Sequence, residues 1–326
     1  MNKAMVYAYE VYKERSFSQA AKNLYVSQPA LSLAIRKLEE ELGVQLFDRS
    51  TTPISLTAEG RVYIDTAGKI LRLNDQLNSY MDDLRQLRTG QLTLGAPHLF
   101  IVQLLPGIIG DFSREYSQVD FTLLEGDTVQ LTEMLLNHEI DLMLDTTEYQ
   151  PELMVHHELF SEQILLAAPA SLPLNRELAP YHISLAAIRS GRFTGKDFPA
   201  VPLEKFWEEH FLMQRKGQDM HDRAVALCAA HGFVPQGHLH VNQLVTALDL
   251  VRQGRGLTFV SSTGLKTLSS GEGMVFYKLE GELAHRKVYI SYLKNRYVTK
   301  AMQRFVQLAT GHAVETGYPA QEADPL

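Results

Sequence analysis

The sequence predicts an α/β protein in which an all-α winged helix-turn-helix unit comes first, a long linker helix second and a two-lobed body last. Three observations carry that prediction. Two short amphipathic helices separated by about three residues open the pattern, a heptad-spaced helix follows, and from Gln91 onward short apolar runs alternate with helical stretches.

The first short helix lies in "SFSQAAKNLYV", where Ser16 or Ser18 can cap a segment carrying Ala20, Ala21 and Leu24 inward. The second is "VSQPALSLAIRKLEEEL": Ser27 caps it, Pro29 is tolerated in its first turn, and Leu31, Ile35, Leu38 and Leu42 form one apolar stripe. A turn this short forces a steep crossing, and small Ala20 and Ala21 let the backbones approach, which is helix-turn-helix geometry. Gln28, Pro29, Ser32, Leu33 and Arg36 then point outward. Gln28 can offer a bidentate amide to adenine, Arg36 can reach guanine or a phosphate, Ser32 suits either, and Leu33 can touch a thymine methyl. The bland alternative is that this face is only the solvated side of an ordinary core helix.

Gly43 caps that helix, and "VQLFDRSTTPISLTAEG" follows, with two apolar stretches flanking a polar tip of Arg49, Ser50, Thr51, Thr52 and Pro53. This is a small β-wing that can lay Arg49 on phosphates, or a plain surface hairpin. Thr57 caps the long helix, in which Ile70, Leu73, Leu77, Tyr80, Leu84 and Leu87 are spaced as a heptad seam. A narrow seam with charged flanks predicts a dimerising linker, and pairing would set two reader helices on a near-palindromic site.

The residues "SFSQAAKNLYVSQPALSLAIRKLEEELGVQLFDR" and "LTAEG" resemble the N-terminal region of LysR-type transcriptional regulators. The resemblance implies a DNA-binding regulator in which Gln28, Pro29, Ser32 and Arg36 lie at promoter DNA, with Arg49 beginning the wing; the reading of the residues themselves adds Ser27 and Leu33 on the helix and Thr51 and Thr52 at the wing tip. Leu33 stands where many members carry Arg or another polar residue, and Thr52 where they carry a second basic one. Both departures point to a different half-site preference or weaker phosphate contact.

Downstream, "QLTLGAP", "VDFTLLEG" and "IDLMLDTT" are strands, with helices at "IVQLLPGIIGDFSREY" and "QLTEMLLNH", which predicts a mainly parallel sheet. A second half begins with "ILLAAP" and runs through "HFLM", "DMHDRAVALCAAHG", "HLHV", "QLVTALDLVRQG" and "GLTFVSS". The chain returns near residue 267, where "GMVFYKLEG" and "RKVYISYL" add strands before a last helix at "TKAMQRFVQLA". The expected domains are 1–57 (winged helix-turn-helix), 58–89 (linker), 90–310 (effector domain) and a loose tail over 311–326. Within the effector domain, lobe I takes 90–162 and 267–310, and lobe II takes 163–266. Two crossings between lobes make a hinge, and the family resemblance implies an effector domain like periplasmic solute-binding proteins.

A small effector would sit between the lobes, beside strand ends and helix N-termini. The candidates are Pro97, His98, Leu99 and Phe100 after the first strand, Asp127 and Thr128 after the second, Thr146 and Thr147 after the third, and Met213 and Gln214 from lobe II. Family members often place Ser or Thr soon after the first strand to hold a carboxylate, whereas this chain has "APHLF", which counts against a carboxylate effector.

Composition bounds the alternatives. The 326 residues, 45% hydrophobic and 21% charged, describe a folded chain with room for two or three domains. The net charge is −7, but residues 1–62 hold eight Lys and Arg against seven Asp and Glu, so DNA binding must come from a local arrangement. Cys228 is the only cysteine, so no intrachain disulfide is possible. With no apolar run near the roughly 20 residues that span a bilayer, a cytoplasmic location is expected and a membrane is not. An enzyme, or a solute-binding module with an N-terminal domain that binds no DNA, is the contrasting class, given His221, His231, His238 and His240 near Cys228. His221 and Cys228 are too far apart on one helix to share an ion alone, however, and no nucleophile elbow or phosphate-cradling loop follows a strand. No catalytic residue, metal or cofactor is therefore expected. Family resemblance adds RNA polymerase as a partner and a homodimer or homotetramer as the assembly.

Overall fold

The computed structural model describes the backbone of residues 3–84, 90–216 and 218–311, and the side chains there except at 75, 76, 78–84 and 238. The chain divides into two compact units, residues 1–86 and 87–326. The tail beyond 311 lies outside the described residues.

In the first unit, α1 (Lys3–Glu14), α2 (Phe17–Asn23) and α3 (Gln28–Leu42) pack around Ala8, Val11, Phe17, Ala20, Ala21, Leu31, Ile35 and Leu38. The sequence reading does not foresee α1, because scattered charge hides its two buried residues, Ala8 and Val11. Ser16, not Ser18, caps α2, its Oγ accepting from the Gln19 amide at 3.3 Å. Ser27 caps α3 by accepting from the Ala30 amide at 3.3 Å, and Gly43 ends the helix at φ +71°. Leu42 is 43% exposed, so the buried stripe stops one turn earlier than expected.

Strands β1 (Phe47–Asp48) and β2 (Ser55–Leu56) pair antiparallel as the wing. Helix α4 (Ala58–Leu84) starts at Thr57, whose hydroxyl donates to the Gln45 carbonyl at 2.6 Å and accepts from the Gly60 amide at 2.9 Å. A Cβ at Gly60 would collide with the Leu46 carbonyl oxygen, so only glycine lets α4 lie this close to the wing.

The second unit opens with β3 (Gly90–Ala96), α5 (His98–Gln103), α6 (Leu105–Glu115), β4 (Val119–Glu125), α7 (Thr128–Leu136) and β5 (Leu142–Asp145). The single helix expected over 101–116 is two, because Pro106 has no amide hydrogen to continue α5 and begins α6 instead. Then β6 (Met154–Pro169) runs for 16 residues, and its N-terminal half, "MVHHELFSE", is a strand that the sequence reading passes over. After it come β7 (His182–Ile183), α8 (Leu185–Arg189), β8 (His210–Met213), α9 (Asp219–Ala230), β9 (Gln236–His240), α10 (Leu244–Arg252), β10 (Thr258–Ser261) and α11 (Ser262–Lys266). The unit closes with β11 (Met274–Lys278), β12 (His285–Leu293) and α12 (Lys300–Thr310).

The sheet is mixed rather than mainly parallel. Strand β3 is parallel to β4 and β5, while β12 joins β5 and the first half of β6 antiparallel. The second half of β6 takes antiparallel β10 on one edge and β11 on the other, with β7 beyond β11. The return near 267 is corrected by that pairing: β11 belongs to lobe II, and the chain recrosses only where His285 pairs with Gln163. Lobe I packs Leu92, Leu94, Phe112, Leu144, Ile290 and Phe305 on one face of its sheet. Lobe II is packed on both faces, with Phe206, Phe211 and Tyr277 in one layer and Val251, Val260 and Phe276 in the other.

Candidate nucleic-acid interface and effector cavity

Burial of Leu31, Ile35 and Leu38 turns the opposite side of α3 outward. Ser27, Gln28, Pro29 and Arg36 are exposed there, Leu33 is 56% exposed, and Ser32 is half-buried between them. Ser27 is committed as the cap. Among the described residues Gln28 and Arg36 have no side-chain hydrogen bond, so both heads stand ready for a partner.

The wing is held differently. Arg49 is not an open phosphate contact: its guanidinium bonds Glu39 at 2.9 Å and lies over the Phe17 ring, 5.1 Å from the centroid. Glu39 also accepts from the Leu46 and Phe47 amides at 2.9 and 3.3 Å, which fastens the wing to α3. Thr51 is likewise engaged, donating to the Asp48 carbonyl at 3.2 Å and meeting the Ser55 hydroxyl at 3.0 Å, so it shapes the tip. Ser50 donates to Asp48 through hydroxyl and amide, which lowers the Asp48 carboxyl below its usual range. Thr52 is exposed.

Along α4 the first turns are anchored by Ile64 and Ala67, whereas Ile70, Leu73 and Leu77 are 43%, 56% and 57% exposed. Three heptad positions thus offer an unpartnered apolar stripe. The side chains of Tyr80 and Leu84, and all of Leu87, lie outside the described residues.

Between the lobes of the second unit is a cavity of about 810 Å³. It brings together Pro97, His98, Leu99, Phe100, Asp127, Thr128, Thr146 and Gln214 from the expected set. Two expected residues lie elsewhere. Met213 is buried in the lobe II core because β8 turns it inward, and Thr147 is exposed one step beyond the wall. Within the set, roles differ. Asp127 and Gln130 form a reciprocal cap on α7, His98 Nδ1 lies 2.9 Å from Glu125 at the rim, and Phe100, only 1% exposed, is chiefly core.

Asp145, Asp219 and Arg286 also line the cavity and escape the sequence reading. The Arg286 side chain is 6% exposed and donates from Nε to Glu162 and from Nη1 to Asp219, both at 2.6 Å. Burial works against its charge, but Glu162 and Asp219 outweigh that and hold its pKa above the ordinary arginine value. Burial likewise pushes Asp219 up, and the charges of Arg286 and Arg223 outweigh it, leaving that carboxyl below its ordinary value. Asp145 has no ion pair among the described residues, and burial drives its carboxyl upward against the opposing pull of Thr128, the Thr146 amide and the more distant Arg286.

Residues 3–61 match the family described as bacterial regulatory helix-turn-helix protein, lysR family, and residues 85–193 and 193–313 match the LysR substrate binding domain. The chain belongs to the LysR family. As a LysR-type regulator it is a DNA-binding transcriptional regulator with an effector domain. It is 30% identical over 307 residues to the HTH-type transcriptional regulator YcgK of Bacillus subtilis (strain 168), covering 94% of this chain and 93% of that one. Against the DNA-binding transcriptional dual regulator OxyR of Escherichia coli (strain K12), identity is 27% over 83% of this chain and 82% of that protein. Its fold matches the crystal structure of CbnR, a LysR family transcriptional regulator, with a TM-score of 0.66 at 19% identity, covering 97% of this chain and 100% of that one.

Proposed function

We propose that this regulator reads DNA through Gln28, Ser32, Leu33 and Arg36 of α3, as a homodimer or homotetramer paired along the α4 seam, and that a small effector in the interlobe cavity sets its activity. The observation that carries the reading is α3 itself, with one side buried in the unit and the other presenting unengaged amide and guanidinium heads. The exposed stripe of Ile70, Leu73 and Leu77 supports pairing, because apolar side chains at heptad spacing gain by burial against a second helix. Thr52 extends from the wing toward the backbone, while Arg49 and Thr51 act by keeping the wing in shape. Effector binding shifts the lobes or subunits by preferring one arrangement. We place the protein in the cytoplasm with its promoter and RNA polymerase, acting without catalysis of its own.

The test is binding of the full-length protein to DNA selected from a random pool, across a salt series. Wild type is expected to enrich one near-palindromic sequence, and Leu73→Glu/Leu77→Glu to run as a smaller species on gel filtration and lose tight binding. Failure to enrich any sequence would sink the reader assignment. Unchanged size in the double variant would sink the seam.

A further inference from the structure

We infer that the interlobe cavity takes an effector with a cationic, hydrogen-bond-donating head, an ammonium or amidinium group, on an apolar body. The inference rests on the cavity being the effector site and adds the chemistry of what enters it. Its ground is an excess of acceptors in the wall. Asp145 is 3% exposed and its Oδ1 accepts from the Thr146 amide at 2.6 Å, while the Thr128 hydroxyl lies close enough to favour the charged carboxyl; among the described residues its buried Oδ2 still has no partner in good hydrogen-bond geometry. Gln103 Oε1 and Gln218 Oε1, also in the wall, are likewise without a partner among the described residues. The Gln103 amide is oriented by its Nε2 donating to the Gly264 carbonyl at 3.3 Å, so it is the oxygen that is left over. Buried acceptors without donors cost free energy that a donor-bearing ligand recovers.

Charge points the same way. Asp145, Asp219 and Glu162 face Arg286 and Arg223, and both arginines are already paired with Asp219 or Glu162. Among these buried charges that leaves one carboxylate in excess, and it is Asp145; of the exposed charges in the wall, Glu125 and Asp127 balance Arg215 and Lys216 in number. The anion site at the α7 N-terminus is already filled by Asp127. Around the mouth, Val102, Val129 and Val245 are 56%, 57% and 60% exposed, an apolar collar for the ligand's body.

The test is thermal shift followed by calorimetry on the full-length protein, with size-matched probes in three charge classes: benzylammonium and benzamidinium, benzyl alcohol and benzamide, benzoate and phenylacetate. The cations are expected to bind about tenfold or more tighter than the neutral and anionic probes, the scale of one charge-assisted hydrogen bond. Asp145→Asn, which keeps the shape and removes the charge, is expected to erase that margin, and Val245→Trp, which fills the mouth, to abolish binding. Anions binding best, with Val245→Trp blocking them, would move the head to the uncapped α10 N-terminus and overturn the inference while leaving the cavity as the effector site. Cations that bind but ignore Val245→Trp would overturn the cavity reading itself. Cation binding unchanged in Asp145→Asn, or no binding in any class, overturns the inference; the wild-type comparison alone decides it should the Asn variant fail to fold.

Discussion

The outward face of α3 and the wall of the interlobe cavity hold their polar groups in opposite ways. On α3, Gln28 and Arg36 stand in solvent without internal partners, whereas in the cavity Arg286 is buried and clamped by Glu162 and Asp219 at 2.6 Å each. Free heads cost the fold little and are replaceable without unfolding it. Clamped ones are part of the fold, so specificity and stability are separable in the first unit and coupled in the second.

The sharpest break of that comparison is Arg286→Met. It strands the buried Glu162 carboxylate and leaves half-buried Asp219 with Arg223 alone, and the expected loss is about 3–5 kcal/mol of stability in urea unfolding. Because Asp219 is held below its ordinary value of 3.8, its pairing stabilises the fold above that value and the contribution fades as pH falls through the lowered pKa. Arg286→Met should flatten this part of the acid limb, and an unchanged midpoint or acid limb would mean that the cluster is not coupled to folding.

Gln28→Ala and Arg36→Ala should each weaken specific DNA binding by about 1–3 kcal/mol with relaxed base preference and an unchanged Tm. A fall in Tm matching the loss of affinity would erase the contrast between the two regions. Between these extremes lies Glu39→Gln, which weakens the tie between wing and α3. About 1–2 kcal/mol of stability should go, read by thermal unfolding, with a smaller loss of DNA affinity.

The smallest effect belongs to Asp145→Asn. Burial raises the Asp145 carboxyl, so its contribution is favourable in acid, below its unfolded pKa, and is lost as pH rises through the raised value. At neutral pH the charge is a burden, and the variant should melt slightly higher than wild type, with the gain vanishing in acid. A lower Tm at neutral pH would mean that the carboxylate has a partner in the folded protein.

The same contrast decides what the sequence could reveal. Helix caps at Ser27, Gly43 and Thr57 and the spacing of Leu31, Ile35 and Leu38 are local, so they are legible in a dozen neighbouring residues. Arg49 was legible as a wing residue but not as the partner of Glu39, since an ion pair ten residues apart leaves no periodic trace. In the cavity the strand ends led to Pro97, His98, Asp127, Thr128 and Thr146 because a chain leaving a parallel strand must pass the same rim. Asp145, Asp219 and Arg286 come from three distant segments, and within its own strand or helix each is an unremarkable charge. The antiparallel course of β12 was hidden for the same reason: direction is set by long-range pairing, not by the apolar run.

The two crossings between lobes are neighbours, with His285 opposite Gln163 on adjacent antiparallel strands. Lobe II is therefore a cassette spliced into lobe I at one point. Removing everything between those two positions would leave strand ends that a two-residue hairpin turn could join, closing lobe I on its own. A gene could exchange the cassette for another by recombining at two nearby points of the fold, altering half of the cavity wall while leaving the DNA-reading end untouched.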